Sequence, residues 1–215
     1  MNRSKYESPA ASKFGLVMQF ENVKAEAEML DEIFDSIYPL RYKIISKFHF
    51  TPVSVAQVAA RYLVQKNGTR VLDIGSGAGK FCMIGASCTT GHFTGVEQRK
   101  NLHRLAVRLA KMYAPERVEF RLSNITEIDF ETFDAIYYYN SFYENIFRDS
   151  AIDQAVTLDK TLYTLYTQYM REQLNKMPIG TRLVTYFSFM DEVPSSYKIQ
   201  ETDFDQKLKF WEKVA

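Results

Sequence analysis

The sequence predicts an α/β fold: a doubly wound, mostly parallel seven-stranded sheet with helices on both faces, preceded by an N-terminal helical extension. Three observations predict it. From Arg70 onward, short β-branched runs alternate with longer segments of helical period, a rhythm that implies right-handed crossovers and a parallel sheet. The first of those runs enters a helix through glycines on alternate positions, Gly75, Gly77 and Gly79. Two short runs at the far end have no helix between them and read as an antiparallel hairpin at the sheet edge.

Residues 1–20 have little periodicity. Glu21 to Tyr38 is acidic with helical apolar spacing (Val23, Ala27, Leu30, Ile33, Phe34, Ile37) and is stopped by Pro39. A second apolar stretch, Leu40 to Phe50, leads to Thr51-Pro52, after which Val53–Val64 reads as a helix ended by Asn67-Gly68. The alternation follows: strand Arg70–Ile74, helix Lys80–Ser87, strand Phe93–Glu97, helix Asn101–Tyr113 with Leu102, Leu105, Ala106, Leu109 and Met112 inward, strand Val118–Leu122, strand Phe133–Tyr139. Ala151–Lys176 reads as one long helix, its stripe formed by Ala155, Leu158, Leu162, Leu165 and Tyr169, with Pro178-Ile179-Gly180 as its stop. Thr181–Phe189 is the fifth strand, and Tyr197–Glu201 and Leu208–Lys213 are the hairpin. The division this suggests is a helical extension over residues 1–50 and one domain over 51–215.

Composition sets limits on function. A chain of 215 residues, 46% hydrophobic and 25% charged, can bury one ordinary core, which excludes global disorder. Its net charge of +1 supplies no field over the whole surface for phosphate backbones, so nucleic acid is not the expected partner. No run reaches the roughly 20 apolar residues of a membrane helix, and the start lacks a signal-peptide core, so the expected address is cytoplasmic. Cys82 and Cys88 share one helix and have no further cysteine to complete a zinc set; they read as reduced core thiols, and no metal is expected. Aromatic residues reach 14%, suited to packing first and to a stacking pocket second.

The most informative segment is Val71-Leu72-Asp73-Ile74-Gly75-Ser76-Gly77-Ala78-Gly79-Lys80. Glycine allows positive φ and close backbone approach, so a ligand can lie on the main chain at the carboxyl end of the strand. Glu97 ends the next strand, 24 residues after Asp73, near the offset of about 20 at which a carboxylate holds an adenosine ribose. A phosphate loop for nucleoside triphosphates needs Ser or Thr after Gly79-Lys80, where Phe81 stands. A dinucleotide fold prefers Gly-x-Gly-x-x-Gly, and the acid Asp73 beside the loop repels a pyrophosphate but suits a ligand carrying an amino group and a sulfonium.

These residues carry a resemblance. Asp73-Ile-Gly75-Ser-Gly77-Ala-Gly79, with Glu97 after the second strand, resembles motifs I and II of the class I S-adenosylmethionine-dependent methyltransferases, and the likeness spans about Thr51 to Phe189. It implies S-adenosylmethionine as cofactor, with Gly75, Ser76, Gly77 and Gly79 lining its methionine part, Asp73 orienting the loop and amino group, Glu97 on the ribose and Gln98 beside the adenine. Asn124-Ile125 stands where the family has an acid reading the adenine, and Ile125 packs on the ring.

The turn after the fourth strand, Asn140-Ser141-Phe142-Tyr143-Glu144, is where the acceptor is expected, with Asn140 and Tyr143 as candidate catalytic residues and Asn140 also against the cofactor. An asparagine carbonyl accepts a hydrogen bond from an amine, and aromatic faces hold its cationic form. Asn-Ser-Phe-Tyr lacks both prolines of the Asn-Pro-Pro-Tyr turn of nucleic acid amino-methylating enzymes. With Thr51-Pro52, where Thr51 would also touch the cofactor, the Asn140–Phe142 turn is more similar to the non-SET protein lysine methyltransferases. His49 is a candidate base, and His92 and His103 are expected at the surface. Arg99, Lys100, Arg104, Arg108 and Lys111 read mainly as the solvated face of one helix.

The expected activity is therefore methyl transfer to a nitrogen, with a protein or small molecule as acceptor. The alternatives are a small-molecule N- or O-methyltransferase, a catalytically silent module binding S-adenosylmethionine, and a nicotinamide-dependent oxidoreductase.

Overall fold

The computed structural model describes residues 26–215, so residues 1–20 and the first part of the helix expected over Glu21–Tyr38 lie outside it. Its helices are α1 (residues 26–35), α2 (Leu40–His49), α3 (Val53–Leu63), α4 (Lys80–Cys88), α5 (Lys100–Tyr113) and α6 (Lys160–Lys176). Its strands are β1 (Arg70–Ile74), β2 (His92–Glu97), β3 (Val118–Leu122), β4 (Ala135–Tyr139), β5 (Arg182–Tyr186), β6 (Tyr197–Asp203) and β7 (Leu208–Lys213). They form one seven-stranded sheet in the order β3-β2-β1-β4-β5-β7-β6. The first five strands are mutually parallel, while β7 runs antiparallel to both β5 and β6. The order turns back between β1 and β4, which opens a crevice at the carboxyl ends of those strands.

Alternate residues of each strand face opposite layers. Val71, Phe93, Tyr137 and Val184 pack with α3 and α4 residues such as Ala56, Leu63 and Phe81. Leu72, Val96, Ile136 and Leu183 pack on the other side with Tyr166, Met170 and Leu174 of α6. Two short 3-10 turns, Ile125–Glu127 and Phe130–Thr132, stand between β3 and β4 where a crossover helix would usually lie. Phe81 stacks on Tyr137 with centroids 3.7 Å apart, and Tyr137 in turn hydrogen-bonds Thr51 at 2.9 Å, fixing the start of α3 on the sheet.

The N-terminal helices are tied to the sheet domain. Tyr38, Tyr42, Ile45 and Phe50 pack against Ala78, Met83, Leu102, Leu105 and Leu109. The ammonium of Lys80, at the first residue of α4, is buried between Asp31 (2.6 Å), Asp35 (2.8 Å) and Ser46 (3.3 Å). Asp31 also accepts the Val53 backbone N–H at 3.0 Å, capping α3.

Several expected elements differ: the fifth strand, expected over Thr181–Phe189, ends at Tyr186 before Phe187 turns to φ 53°, and the fourth starts at Ala135 rather than Phe133. Ala151–Asp159 is not helical: Asp159 caps α6 by accepting the Thr161 N–H at 2.8 Å, and Asp153 turns inward toward Arg99. With the helix starting later, its buried stripe is Tyr166, Met170, Gln173 and Leu174, whereas Leu165 is exposed. Met112, expected inward on α5, is exposed, and His103 is half-buried with a ring nitrogen 3.3 Å from the Phe120 carbonyl. Cys82 is buried and Cys88 half-buried, both as free thiols.

Candidate active site

A cleft of about 360 Å³ opens at the carboxyl ends of the strands on either side of the switch point. Its floor is the loop after β1, with Ile74, Gly75 and Gly77. Val96 and Glu97 at the end of β2 with Gln98 and Arg99 after it, then Asn124 and Ile125 after β3, form one wall. The β4 turn, Tyr139 to Glu144, forms the opposite wall, and Phe48, His49 and Phe50 cover the edge.

Three glycines of the loop adopt positive φ, among them the two that face the cleft, at +75° for Gly75 and +55° for Gly77. Neither has room for a side chain. A Cβ on Gly75 would stand 2.5 Å from Ser141, and one on Gly77 2.9 Å from Phe50. Ser141 uses the space at Gly75 to donate a 2.5 Å hydrogen bond to the Ile74 carbonyl, which fastens the β4 turn directly to the glycine loop. Asn140, just before it, is left-handed at φ 38°, a conformation that asparagine tolerates better than most residues.

Glu97 sits beneath the loop with both oxygens engaged by backbone: Oε2 accepts the Gly77 N–H at 3.0 Å and Oε1 the Arg99 N–H at 2.7 Å. Each oxygen keeps further acceptor capacity, the geometry a vicinal diol requires. Burial raises its pKa, against the pull of those N–H groups and of the Arg99 charge. The Arg99 guanidinium reaches across the cleft, donating to Glu144 at 2.6 Å and Asp153 at 3.1 Å, so one residue links the Glu97 carboxylate to the wall opposite. Glu144 is thereby ion-paired, while Glu97 is held by two backbone N–H groups. His49 is the cleft histidine; burial and the Arg99 charge lower its pKa, so its imidazole is neutral at neutral pH.

The structure brings Gly75, Gly77, Glu97, Gln98, Asn124, Ile125, Asn140 and Tyr143 to this cleft. Four other residues expected at the site stand outside its lining. Thr51 is bonded to Tyr137. Asp73 is buried beneath the loop, where it accepts a 3.3 Å hydrogen bond from the Cys82 thiol, and burial pushes its pKa up to about 7. Ser76 is buried against Gly95, its hydroxyl without a hydrogen-bond partner among the described residues. Gly79 lets α4 approach Phe120 and Ala106, a packing role. Asn124 spends its side chain internally: Oδ1 caps the Thr126 N–H at 3.1 Å, and its amide donates to the Tyr166 hydroxyl at 2.9 Å and to Gln98 at 3.4 Å. Sequence reasoning left out Phe48 and Phe187 as cleft residues and gave Glu144, inside the expected turn, no role of its own; Arg99, expected on the solvated face of a helix, is instead buried in the cleft wall. The Arg99–Glu144 pair joins residues far apart in sequence, and no local pattern announces it.

A glycine backbone open to a ligand, a carboxylate with spare acceptor capacity and apolar walls from Ile74, Val96, Ile125 and Phe142 fit an adenosyl cofactor. The family profile of a methyltransferase domain matches residues 65–210. The chain belongs to this methyltransferase family. It is an S-adenosylmethionine-dependent enzyme of class I, as the glycine loop and Glu97 lead one to expect.

Solved structures share the methyltransferase fold at low identity. An RNA methyltransferase from Salinibacter ruber, in complex with S-adenosyl-L-homocysteine, is 19% identical with a TM-score of 0.53, covering 76% of this chain and 92% of its own. TrmN from Thermus thermophilus is 18% identical with a TM-score of 0.55, covering 76% of this chain and 49% of its own. A SAM-dependent O-methyltransferase from Thermotoga maritima is 19% identical with a TM-score of 0.51, covering 82% and 72%. The chain thus spans about half the length of several structures it matches, TrmN among them. No curated protein matched its sequence. An RNA methyltransferase of this fold leaves the expectation against nucleic acid without support. Among the described residues, no helix is long and apolar enough to cross a membrane.

Proposed function

We propose that this methyltransferase transfers the methyl group of S-adenosylmethionine to a nitrogen acceptor held by the β4 turn. The observation that carries this reading is the placement of Asn140. It stands left-handed on the cleft wall, one residue before the serine that fastens the turn to the glycine loop. Its side-chain carbonyl is free to accept from an amine, since no other hydrogen bond claims it among the described residues. When bound, the cofactor supplies an electrophilic methyl group; the chain's own task is to hold a nitrogen lone pair in line with it, where positioning supplies much of the rate.

The proton balance agrees. Glu97 and Glu144 are engaged elsewhere, which leaves the neutral His49 as the group able to take a proton from the acceptor. Tyr139, its hydroxyl 3.4 Å from the Phe48 carbonyl and its pKa pushed up to about 12, stays a phenol. Asn140 and Tyr143 act on the acceptor; Gly75, Gly77, Glu97, Gln98 and Ile125 hold the cofactor. The similarity of Thr51-Pro52 and Asn140–Phe142 to lysine methyltransferases supports a protein lysine as acceptor.

The test is transfer of radiolabelled methyl groups to protein, RNA and small-amine pools, with Asn140→Ala alongside. Retained cofactor affinity with turnover lowered about 10- to 100-fold, the loss of one hydrogen bond to a charged or reacting group, supports the reading. Unchanged turnover removes Asn140 from the mechanism, and label on hydroxyl groups alone makes this a small-molecule O-methyltransferase.

A further inference from the structure

The net charge of +1 conceals a segregation. In α1, Glu26, Glu28, Asp31, Glu32 and Asp35 stand without a single Lys or Arg. In α5 the reverse holds: Lys100, Arg104, Arg108 and Lys111 stand without an Asp or Glu. All four are exposed, and they recur every three or four residues on one face, about 6 Å apart along the axis. None of the four side chains makes an ion pair, hydrogen bond or ring contact with another described residue. The acid nearest in sequence on the neighbouring strand, Glu119, is taken by Arg121 at 2.6 Å.

This arrangement works against the helix. Like charges at i and i+4 destabilise a helix, each pair by about 0.2–0.5 kcal/mol, and Lys100 sits at the positive end of the helix dipole, with no acid in the first turn to offset it. A surface that violates local preference without a compensating partner among the described residues is the expected mark of a site for an external one. The stripe also has a direction. It begins at Lys100, immediately after Arg99 on the cleft wall. The cleft mouth beyond carries exposed rings, Phe48 at 74% and Phe187 at 43%. Phe187 is held at φ 53°, a strained conformation for an aromatic residue.

We propose that α5 is a phosphate track for single-stranded RNA, leading a nucleotide to the aromatic mouth of the cleft. A row of cations with one sign engages a polyanion, and rings at its end stack bases without regard to sequence. The inference keeps the nitrogen-acceptor chemistry proposed above but places that nitrogen on a nucleobase in place of a protein lysine; it rests on that reading only for the chemistry, and the binding stands or falls separately.

The experiment is fluorescence anisotropy of the full chain with a labelled uridine 20-mer at rising salt. Four phosphates neutralised on a single strand give a slope of about −2.8 in log K against log salt, so affinity falls about 50-fold from 50 to 200 mM salt. The variant K100Q/R104Q/R108Q/K111Q, all at exposed positions, loses most of the affinity and flattens the slope. Lys198→Gln, on β6 at the opposite sheet edge, changes neither. Unchanged S-adenosylhomocysteine binding shows that the quadruple variant is folded. Absence of RNA binding, binding untouched by the quadruple variant, or equal affinity for labelled poly-glutamate each overturns the proposal, the last assigning the face to an acidic protein instead.

Discussion

Replacing Lys80 with methionine removes a charge and keeps most of the volume. In the native protein the Lys80 side chain is 3% exposed, and its ammonium lies 2.6 Å from Asp31 and 2.8 Å from Asp35, which is itself 6% exposed. Methionine fills the space but leaves the Asp35 carboxylate buried beside a second acid with no counter-ion. Breaking a buried pair from one side costs about 3–5 kcal/mol. Unfolding entropy near about 2.1 cal/mol/K per residue gives about 0.45 kcal/mol/K for a chain of 215 residues, so Tm falls by about 7–11 °C. The assay is urea and thermal unfolding followed by fluorescence of Trp211, the single tryptophan, which is buried on β7 and bonded to Thr185 at 3.0 Å. Removing both charges in K80M/D35N restores much of the loss, because two uncharged groups no longer need each other. A single variant within about 1 kcal/mol of wild type, or a double variant equal to the sum of the singles, refutes the claim that this network holds the N-terminal helices to the glycine-loop helix.

Other consequences are as specific. Gly75→Ala puts a Cβ 2.5 Å from Ser141 at φ +75°, so it displaces the β4 turn; calorimetry should show cofactor affinity reduced at least tenfold, and wild-type affinity would mean the turn is not fastened there. Asp73, with a folded pKa of about 7, holds a proton that the unfolded chain releases near pH 4. Stability therefore falls as pH rises from about 4 to about 7, with this group contributing up to about 1.4 kcal/mol per unit; Asp73→Asn flattens that part of the profile, and a slope of opposite sign in the wild type attributable to Asp73 contradicts its burial as an acid.

What the sequence revealed and what it hid have different physical origins. Arg70–Ile74 and Val118–Leu122 stand in the structure with the bounds their β-branched patterns imply, because short parallel strands between crossovers are set by local alternation. The glycine loop was equally legible, since positive φ at Gly75 and Gly77 is a backbone demand written in residue type. Ala151–Asp159 was misread because its apolar spacing is helical, while its polar side chains serve distant partners: Asp153 holds Arg99, and Glu144 receives the Ile152 N–H at 3.2 Å. The Asp159 cap was a local signal that could have corrected the boundary. Asp73 and Ser76 match the family pattern, yet their side chains point beneath the loop, a direction set by the alternation of β1 and by packing on Cys82 and Gly95.

The central claim is that the cleft holds S-adenosylmethionine on the glycine loop and Glu97, and calorimetric titration tests it most directly. S-adenosylmethionine and its demethylated product, but not NAD, are expected to bind the purified protein. Glu97→Ala, which removes the carboxylate from the ribose and leaves the Gly77 and Arg99 N–H groups unpaired, should weaken both by about 10- to 100-fold or more. No binding, binding of NAD alone, or undiminished affinity in Glu97→Ala would contradict the account.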